Sequence, residues 1–314
     1  MNLKKPKFWD YKKPNIISLI LFPLSLLFQL TSYIKFKFSN STKYSNIKTI
    51  CIGNIYLGGT GKTSLSIRVN EILREKKIKS CFIKKDYFDQ IDEQKILESK
   101  GKLIKSNLRV TGIKKAIDQN FEIAIFDDGL QDLSIDYDLS IVCFNNINWI
   151  GNGLTIPSGP LRERIKNLKK YKHVFINGNL ENLETIKKEI LKINSKINIY
   201  IGKYVPINLD EFDKKDNFIV FSGIGNHKTF VSMLEKNNIN IVKEIEFPDH
   251  YNYLNSDIEN IILLSKKLNC KIITTEKDFM RLKGKKFGEI RFIKSKLEII
   301  DEEKFLETLS KLYE

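Results

Sequence analysis

The chain has 314 residues, 42% hydrophobic and 29% charged, which is enough to bury a sizeable core and excludes a disordered polymer. A formal net charge of +15 points to an anionic partner, but only seven of the 53 basic residues are arginine and alanine occurs only at Ala116 and Ala124; this is a compositionally biased chain whose lysines are largely a solvated surface. The four cysteines (Cys51, Cys81, Cys143, Cys270) are widely spaced without a CxxC pair, which excludes a metal ribbon or dithiol redox site and leaves buried thiols in a reducing compartment.

Residues 16–34 read IISLILFPLSLLFQLTSYI, with Lys4, Lys5, Lys7, Lys12 and Lys13 before them and Lys35 and Lys37 after. No small-residue cleavage site follows, so a secretory leader is not expected. Ser18, Ser25, Gln29 and Ser32 fall at spacings that place them on one face of a helix, and Pro23 is expected to kink or restart it. A mostly apolar helix with one polar stripe and lysines at both ends suits an interfacial anchor on an anionic lipid leaflet. The alternatives are packing of its apolar side on the protein's own core, or a true span.

Beyond a polar, basic connector at 37–47 the chain alternates. Strands are predicted at 48–53, 79–84, 122–126, 139–144, 172–176, 197–202, 217–222, 241–246, 270–274 and 290–293. Helices are predicted at 61–76, 112–119, 180–192, 227–237, 255–268 and 302–313. Short β-branched runs between amphipathic helices indicate a doubly wound, mostly parallel α/β sheet with a second, smaller α/β domain, and the strand-turn-helix around GGTGKTS (58–64) makes that sheet of the P-loop NTPase type. The polar, acidic stretch 203–216 is the best boundary. It divides the chain into 1–205, the N-terminal helix plus nucleotide domain, and 206–314, a smaller lid domain.

The strongest local signal is KTICIGNIYLGGTGKTS, an apolar strand running into a glycine-rich turn that opens a helix. Backbone N–H groups of Gly58, Gly59, Thr60, Gly61, Lys62, Thr63 and Ser64 can cradle phosphate at the positive end of the helix dipole. Lys62 can span to the β- and γ-phosphates of ATP, and the Thr63 hydroxyl can ligate Mg²⁺. Tyr56 stands where the usual motif has its first glycine, and Gly53, Gly58 and Gly59 supply flexibility instead. Leu57 lacks the extra lysine of partition-type ATPases, and Thr275-Glu276-Lys277-Asp278 has the wrong order for guanine selection.

FEIAIFDDGLQ (121–131) is an apolar strand ending in Asp127 and Asp128, where carboxylates can serve Mg²⁺ in phosphoryl transfer. Transfer to an alcohol also needs a proton acceptor. Asp92-Glu93 and Asp249-His250 are both candidates, although Asp92 also reads as a helix-start acid. His173 and His227 read as structural.

Together, GNIYLGGTGKTS (53–64), IDE (91–93), DDGLQ (127–131), GNGLTIPSGPLRE (151–163), FSGIGN (221–226), FPDHYNY (247–253) and TTEKDFMRL (274–282) resemble the tetraacyldisaccharide 4′-kinase family, in the same order and over nearly the whole chain. The resemblance implies an ATP- and Mg²⁺-dependent kinase. It would phosphorylate the 4′-hydroxyl of an acylated glucosamine disaccharide 1-phosphate at the cytoplasmic face of the inner membrane, in lipid A biosynthesis. It further implies Lys62 and Thr63 at the phosphates, Asp127 and Asp128 at the metal, Asp92 as general base with His250 as its dyad partner, and Arg162 and Glu163 lining the site. The catalytic set is then Asp92, His250, Lys62 and Asp128, and the metal set Thr63, Asp127, Asp128 and Glu163.

Two departures stand out: the family's Ser-Arg-Gly-Tyr string is here Lys84-Lys85-Asp86-Tyr87, and Asp132 replaces the histidine after the DDGLQ string. A monomer is expected. A membrane-associated ATPase switch is the rival reading, and a nucleic-acid partner is not expected because the lysines are spread along the chain rather than interleaved with aromatics on one face.

Overall fold

A computed structural model describes residues 5–86, 91–282 and 288–314. The chain divides into two units, one formed by Lys5–Gly202 with Ile299–Glu314, the other by Lys203–Glu298.

The larger unit begins with a 3₁₀ turn at Lys7–Asp10 and helix α1 (Ile16–Lys37). There follow β1 (Lys48–Gly53), α2 (Lys62–Glu75), β2 (Ser80–Lys85), α3 (Ile91–Lys100), β3 (Leu103–Ser106), α4 (Arg109–Asp118) and β4 (Ile123–Asp127). The chain then crosses β1 to build β5 (Leu139–Asn145), β6 (His173–Asn177), α5 (Leu183–Ile193) and β7 (Asn198–Pro206). The smaller unit carries β8 (Asn217–Ser222), α6 (His227–Lys236), β9 (Asn240–Glu246), α7 (Asn255–Leu268), β10 (Lys271–Thr275), α8 (Glu276–Arg281) and β11 (Ile290–Ile293). Last come β12 (Ser295–Ile300) and α9 (Glu302–Ser310).

The eight-stranded sheet has the order β12-β7-β6-β5-β1-β4-β2-β3, and its ladders from β3 to β7 are parallel. β1, β4 and β5 are apolar almost throughout because helices cover both faces of a parallel sheet. Cys51, Ile83, Phe126, Val142 and Val174, one from each of five strands, join in a single core. β1 is the point from which the chain winds first to one side and then to the other. Ligands of such sheets sit at the carboxyl ends of the strands at this reversal.

The smaller sheet, β11-β10-β8-β9, is also parallel. Its alternate residues enter two clusters. Phe218, Val220 and Ile273 pack with Phe230 and Leu234 of α6, whereas Ile219, Phe221 and Ile272 pack with Ile258 and Ile261 of α7. Period-two alternation therefore feeds two cores rather than one core and solvent.

The doubly wound parallel architecture is as expected, and the ten expected strands are all present. β3 and β12 were not expected; β3 has four residues and sends Lys105 outward, which hides its pattern. α8 escaped prediction for its six-residue length, and α3, weakly amphipathic, was marked only by Asp92 as a helix-start acid.

The domain boundary needs one correction. The C-terminal stretch does not stay with the smaller unit; from Ile299 it returns to the larger one. Phe305 of α9 is fully buried there, edge-on to Tyr200 at 5.0 Å and Phe175 at 6.4 Å between ring centroids, and Glu302 pairs with Arg68 at 2.8 Å.

α1 turns Ser18, Ser25 and Gln29 of its expected polar stripe to the protein, while Ser32 and the apolar side are exposed. Ser18 and Ser25 are fully buried, while Leu19, Ile20, Leu24, Leu27, Leu30 and Ile34 are exposed. The helix is long and apolar enough to cross a membrane by length and composition. The opposed apolar and polar faces do follow the predicted spacing, but packing of the apolar side on the protein's own core is overturned.

Phe305→Ala should lower the stability of the larger unit by about 3–5 kcal/mol, the usual cost of truncating a buried aromatic. Urea denaturation of the full chain, followed by near-ultraviolet circular dichroism, measures this.

Candidate active site

The phosphate loop leaves β1 through a buried Asn54 and an extended stretch instead of a glycine turn. Tyr56 pairs antiparallel with Leu161, and the Leu57 N–H donates to the Pro160 carbonyl at 2.8 Å. The Tyr56 hydroxyl donates to Asp10 at 2.6 Å and accepts from Lys5 at 2.9 Å. This explains the missing first glycine: position 56 is part of a small ladder, and the turn begins two residues later. Gly58 and Gly61 take φ of +141° and +76°, a backbone that a side chain would strain.

Asparagines brace the loop from beneath. Asn54 donates to the Thr60 hydroxyl at 3.0 Å, Asn177 to the Thr60 carbonyl at 2.5 Å, and Gln131 to the Asn54 carbonyl at 2.9 Å. α2 then starts at Lys62 with no side chain capping its amino end, so its first N–H groups are directed at the loop's concavity. Gly58 to Ser64 thus form one contiguous glycine-rich turn that opens into α2.

Asp127 closes β4 in parallel register beside β1, and both its oxygens face inward. Oδ2 accepts from the Thr63 hydroxyl at 3.1 Å and from Lys84 at 2.6 Å, and Oδ1 accepts from Ser66 at 3.5 Å. Asp128 differs. It turns into the left-handed region at φ +65°, donates its N–H to Ile52, and meets Arg162 through both carboxylate oxygens at 2.7 and 3.1 Å. Arg162 also donates to Gln131 at 3.0 Å.

Among the described residues no three Asp, Glu, His or Cys side chains converge on a metal-sized position. The site sets the Thr63 hydroxyl on Asp127 and the partly exposed Asp128 carboxylate on Arg162. That donor set fits Mg²⁺, which keeps several waters and takes its remaining oxygens from nucleotide phosphates. Glu163, expected as a further metal ligand, accepts from Tyr171 at 3.0 Å and from Asn167 at 2.9 Å.

Asp92 lies half-buried in the first turn of α3, the position of the helix-start reading. Its neighbour Glu93 accepts from Lys84 at 2.6 Å, which connects this turn to Asp127. His250 belongs to the smaller unit. It sits at φ +58°, donates its N–H to Gly223 at 3.0 Å and places Nδ1 3.4 Å from Arg281. Arg281 is held in turn by the fully buried Asp278 at 2.9 Å. His173 and His227 are structural, as read. His173 stacks on Tyr200 and His227 meets Ser222 at 2.7 Å, and burial pulls both pKa values down, that of His173 to about 4.

Sequence reasoning missed Lys84 and Arg109. Arg109 is buried and donates to the Asp128 carbonyl and to Asp132 at 3.1 Å, so the aspartate that replaces the family's histidine has a partner on α4. The scarcity of arginine was a usable signal, because these two guanidiniums, Arg109 and Arg162, hold the acidic turn from both sides.

Burial opposes ionisation of Asp128, but Lys62 and Arg162 outweigh it and hold the carboxyl down at about 2. Its ionised form therefore stabilises the fold fully above the ordinary value of 3.8, and this contribution is lost as the pH falls towards about 2. In Arg162→Met the midpoint should rise and the loss of stability across that window should become shallower. Carboxyl-carbon NMR titration and acid denaturation read the two effects separately.

A family model described as LpxK, Tetraacyldisaccharide-1-P 4′-kinase, matches residues 17–314. The chain is 57% identical over 316 residues to a protein named tetraacyldisaccharide 4′-kinase from Pelagibacter ubique (strain HTCC1062), covering 100% of this chain and 99% of that one. It is 34% identical to one of the same name from Rickettsia canadensis (strain McKiel), covering 90% and 89% respectively. Among solved structures, LpxK from Aquifex aeolicus, described as an "apo" form in complex with ATP, superposes with a TM-score of 0.69 at 21% identity. That match covers 95% of this chain and 100% of the other, and shows a shared fold. By sequence, from the apolar helix to the C-terminus, the chain belongs to the tetraacyldisaccharide-1-P 4′-kinase family.

Proposed function

We propose that this chain transfers the γ-phosphate of ATP to the 4′-hydroxyl of a tetraacyldisaccharide 1-phosphate lying in a membrane. The observation that carries the reading is the cradle of Gly58–Ser64 beside Asp127 and Asp128, in a chain whose family match runs from 17 to 314.

Lys62 engages the β- and γ-phosphates, and the N–H groups opening α2 hold the non-bridging oxygens. Mg²⁺, when bound by Thr63 and Asp128, supplies charge neutralisation at the transferring group. Asp127 keeps the Thr63 hydroxyl oriented through their hydrogen bond. Asp92 accepts the proton of the 4′-hydroxyl as its oxygen bonds to the γ-phosphorus and the bond to the β–γ bridging oxygen breaks, releasing ADP. His250 supports Asp92 as its dyad partner, and Arg162 keeps Asp128 charged.

The substrate is a lipid, so the enzyme must work at an interface. α1 offers an outward apolar face with Lys12 and Lys13 before it and Lys35 and Lys37 after it, which suits the anionic cytoplasmic leaflet of the inner membrane.

Transfer of labelled γ-phosphate from ATP to tetraacyldisaccharide 1-phosphate in detergent micelles tests the reading. Lys62→Ala is expected to lose about 10²–10³-fold in kcat or more, as when a charge-stabilising donor is removed. His250→Ala should slow turnover with a smaller effect on ATP affinity. ATP hydrolysis without labelled lipid would favour the ATPase switch instead. Co-sedimentation with vesicles rich in anionic lipid tests the interface: Leu24→Asp with Leu27→Asp should reduce binding at least about tenfold, given the cost of placing charge among acyl chains.

A further inference from the structure

We propose that Lys84 is a positioning residue for phosphoryl transfer: through Glu93 it fastens the first turn of α3 to Asp127, and thereby sets where Asp92 stands. This rests on the reading of Asp92 as the proton acceptor.

Lys84 lies at the carboxyl end of β2, one residue past the pair Ile83–Phe126 in the ladder with β4. Its side chain is 2% exposed and its ammonium stands 2.6 Å from both Asp127 Oδ2 and Glu93 Oε2. A lysine so deep in an apolar sheet is tolerated only with its charge matched, and here two carboxylates from different elements match it. Asp127 in turn accepts from Thr63, which opens α2. Glu93, Lys84, Asp127 and Thr63 therefore form a continuous polar series joining the first turn of α3 to the first turn of α2. One of those turns carries the acceptor and the other the phosphate cradle.

Helical geometry makes this link directional. Successive residues of an α-helix point about 100° apart. Once Glu93 is held inward on Lys84, α3 cannot rotate about its axis, and Asp92 projects from the adjoining flank. The ion pairs thus determine an angle and a distance that catalysis needs, since a misplacement of about 1 Å can cost roughly 10²-fold in rate. Glu93 itself touches neither reacting oxygen in this scheme.

The test compares kcat for lipid phosphorylation with the Kd for ATP, measured by calorimetry without lipid, in Glu93→Ala, Lys84→Met, their double variant and Asp92→Asn. Glu93→Ala should lower kcat about tenfold or more and change the Kd by less than about twofold. The double variant should be no slower than Lys84→Met by more than about twofold, because both substitutions break one link. If Lys84→Met fails to fold, Glu93→Ala reads the same contact from its more exposed end.

Parental kcat in Glu93→Ala, with activity lost in Asp92→Asn, would overturn the positioning role and leave the acceptor in place. Parental kcat in Asp92→Asn would remove the acceptor itself, and the proposal with it. Losses in kcat matched by equal losses in ATP affinity would make Lys84 a support of the nucleotide site alone, which also overturns it.

Discussion

The segment 151–164 is the piece on which the larger unit's working parts depend, because it hydrogen-bonds on both sides. Towards the N-terminus, Asn152 donates to Ser18, Thr155 accepts from Ser25 through its carbonyl and from Gln29 through its hydroxyl, and Arg164 reaches Gln29. Towards the nucleotide side, Leu161 pairs with Tyr56, Pro160 accepts from Leu57, and Arg162 clamps Asp128. The contacts at Ser18 and Ser25 satisfy buried polar groups that would otherwise lack a partner, so the segment cannot shift on one side without loosening the other. An apolar helix and a glycine-rich loop, built from opposite kinds of residue, are held in one frame by about a dozen residues of irregular chain.

The acidic pair shows how environment divides adjacent residues of one type. Asp127 is sealed beneath the sheet's edge with three hydrogen-bond donors, and Asp128 turns outward to Arg162. Sequence presents them as equals. The half-turn in backbone at Asp128, from extended to left-handed, separates a carboxylate sealed among Thr63, Ser66 and Lys84 from one that is partly exposed and paired with Arg162.

What could be read in advance follows from what is local. The strands, the glycine turn and the Asp-Asp string were readable because each is encoded within about ten residues by apolar runs and special backbone needs. Lys84 was not: a lysine in FIKKD looks like any surface lysine, and only the partners brought by β4 and α3 reveal that it is interior. The same applies to the return of α9, since Phe305 meets Phe175 and Tyr200 from more than a hundred residues away. For α1, period identified which residues share a face, but nothing in the periodicity states whether that face meets protein or surroundings. Nor does the string LRE tell how its charged neighbours divide: Arg162 turns to Asp128, while Glu163 finds Tyr171 and Asn167.

The buried stripe on α1 has a consequence for how this helix can vary. Ser18, Ser25 and Gln29 must all face segment 151–164, and each residue added or removed between them would swing the later contacts by about 100°. Exchange of one apolar residue for another on the outer face alters little, because no protein surface reads its shape. The helix therefore tolerates wide substitution but no change in length between Ser18 and Gln29, and divergence along it should be visible as drift in spelling with a constant count.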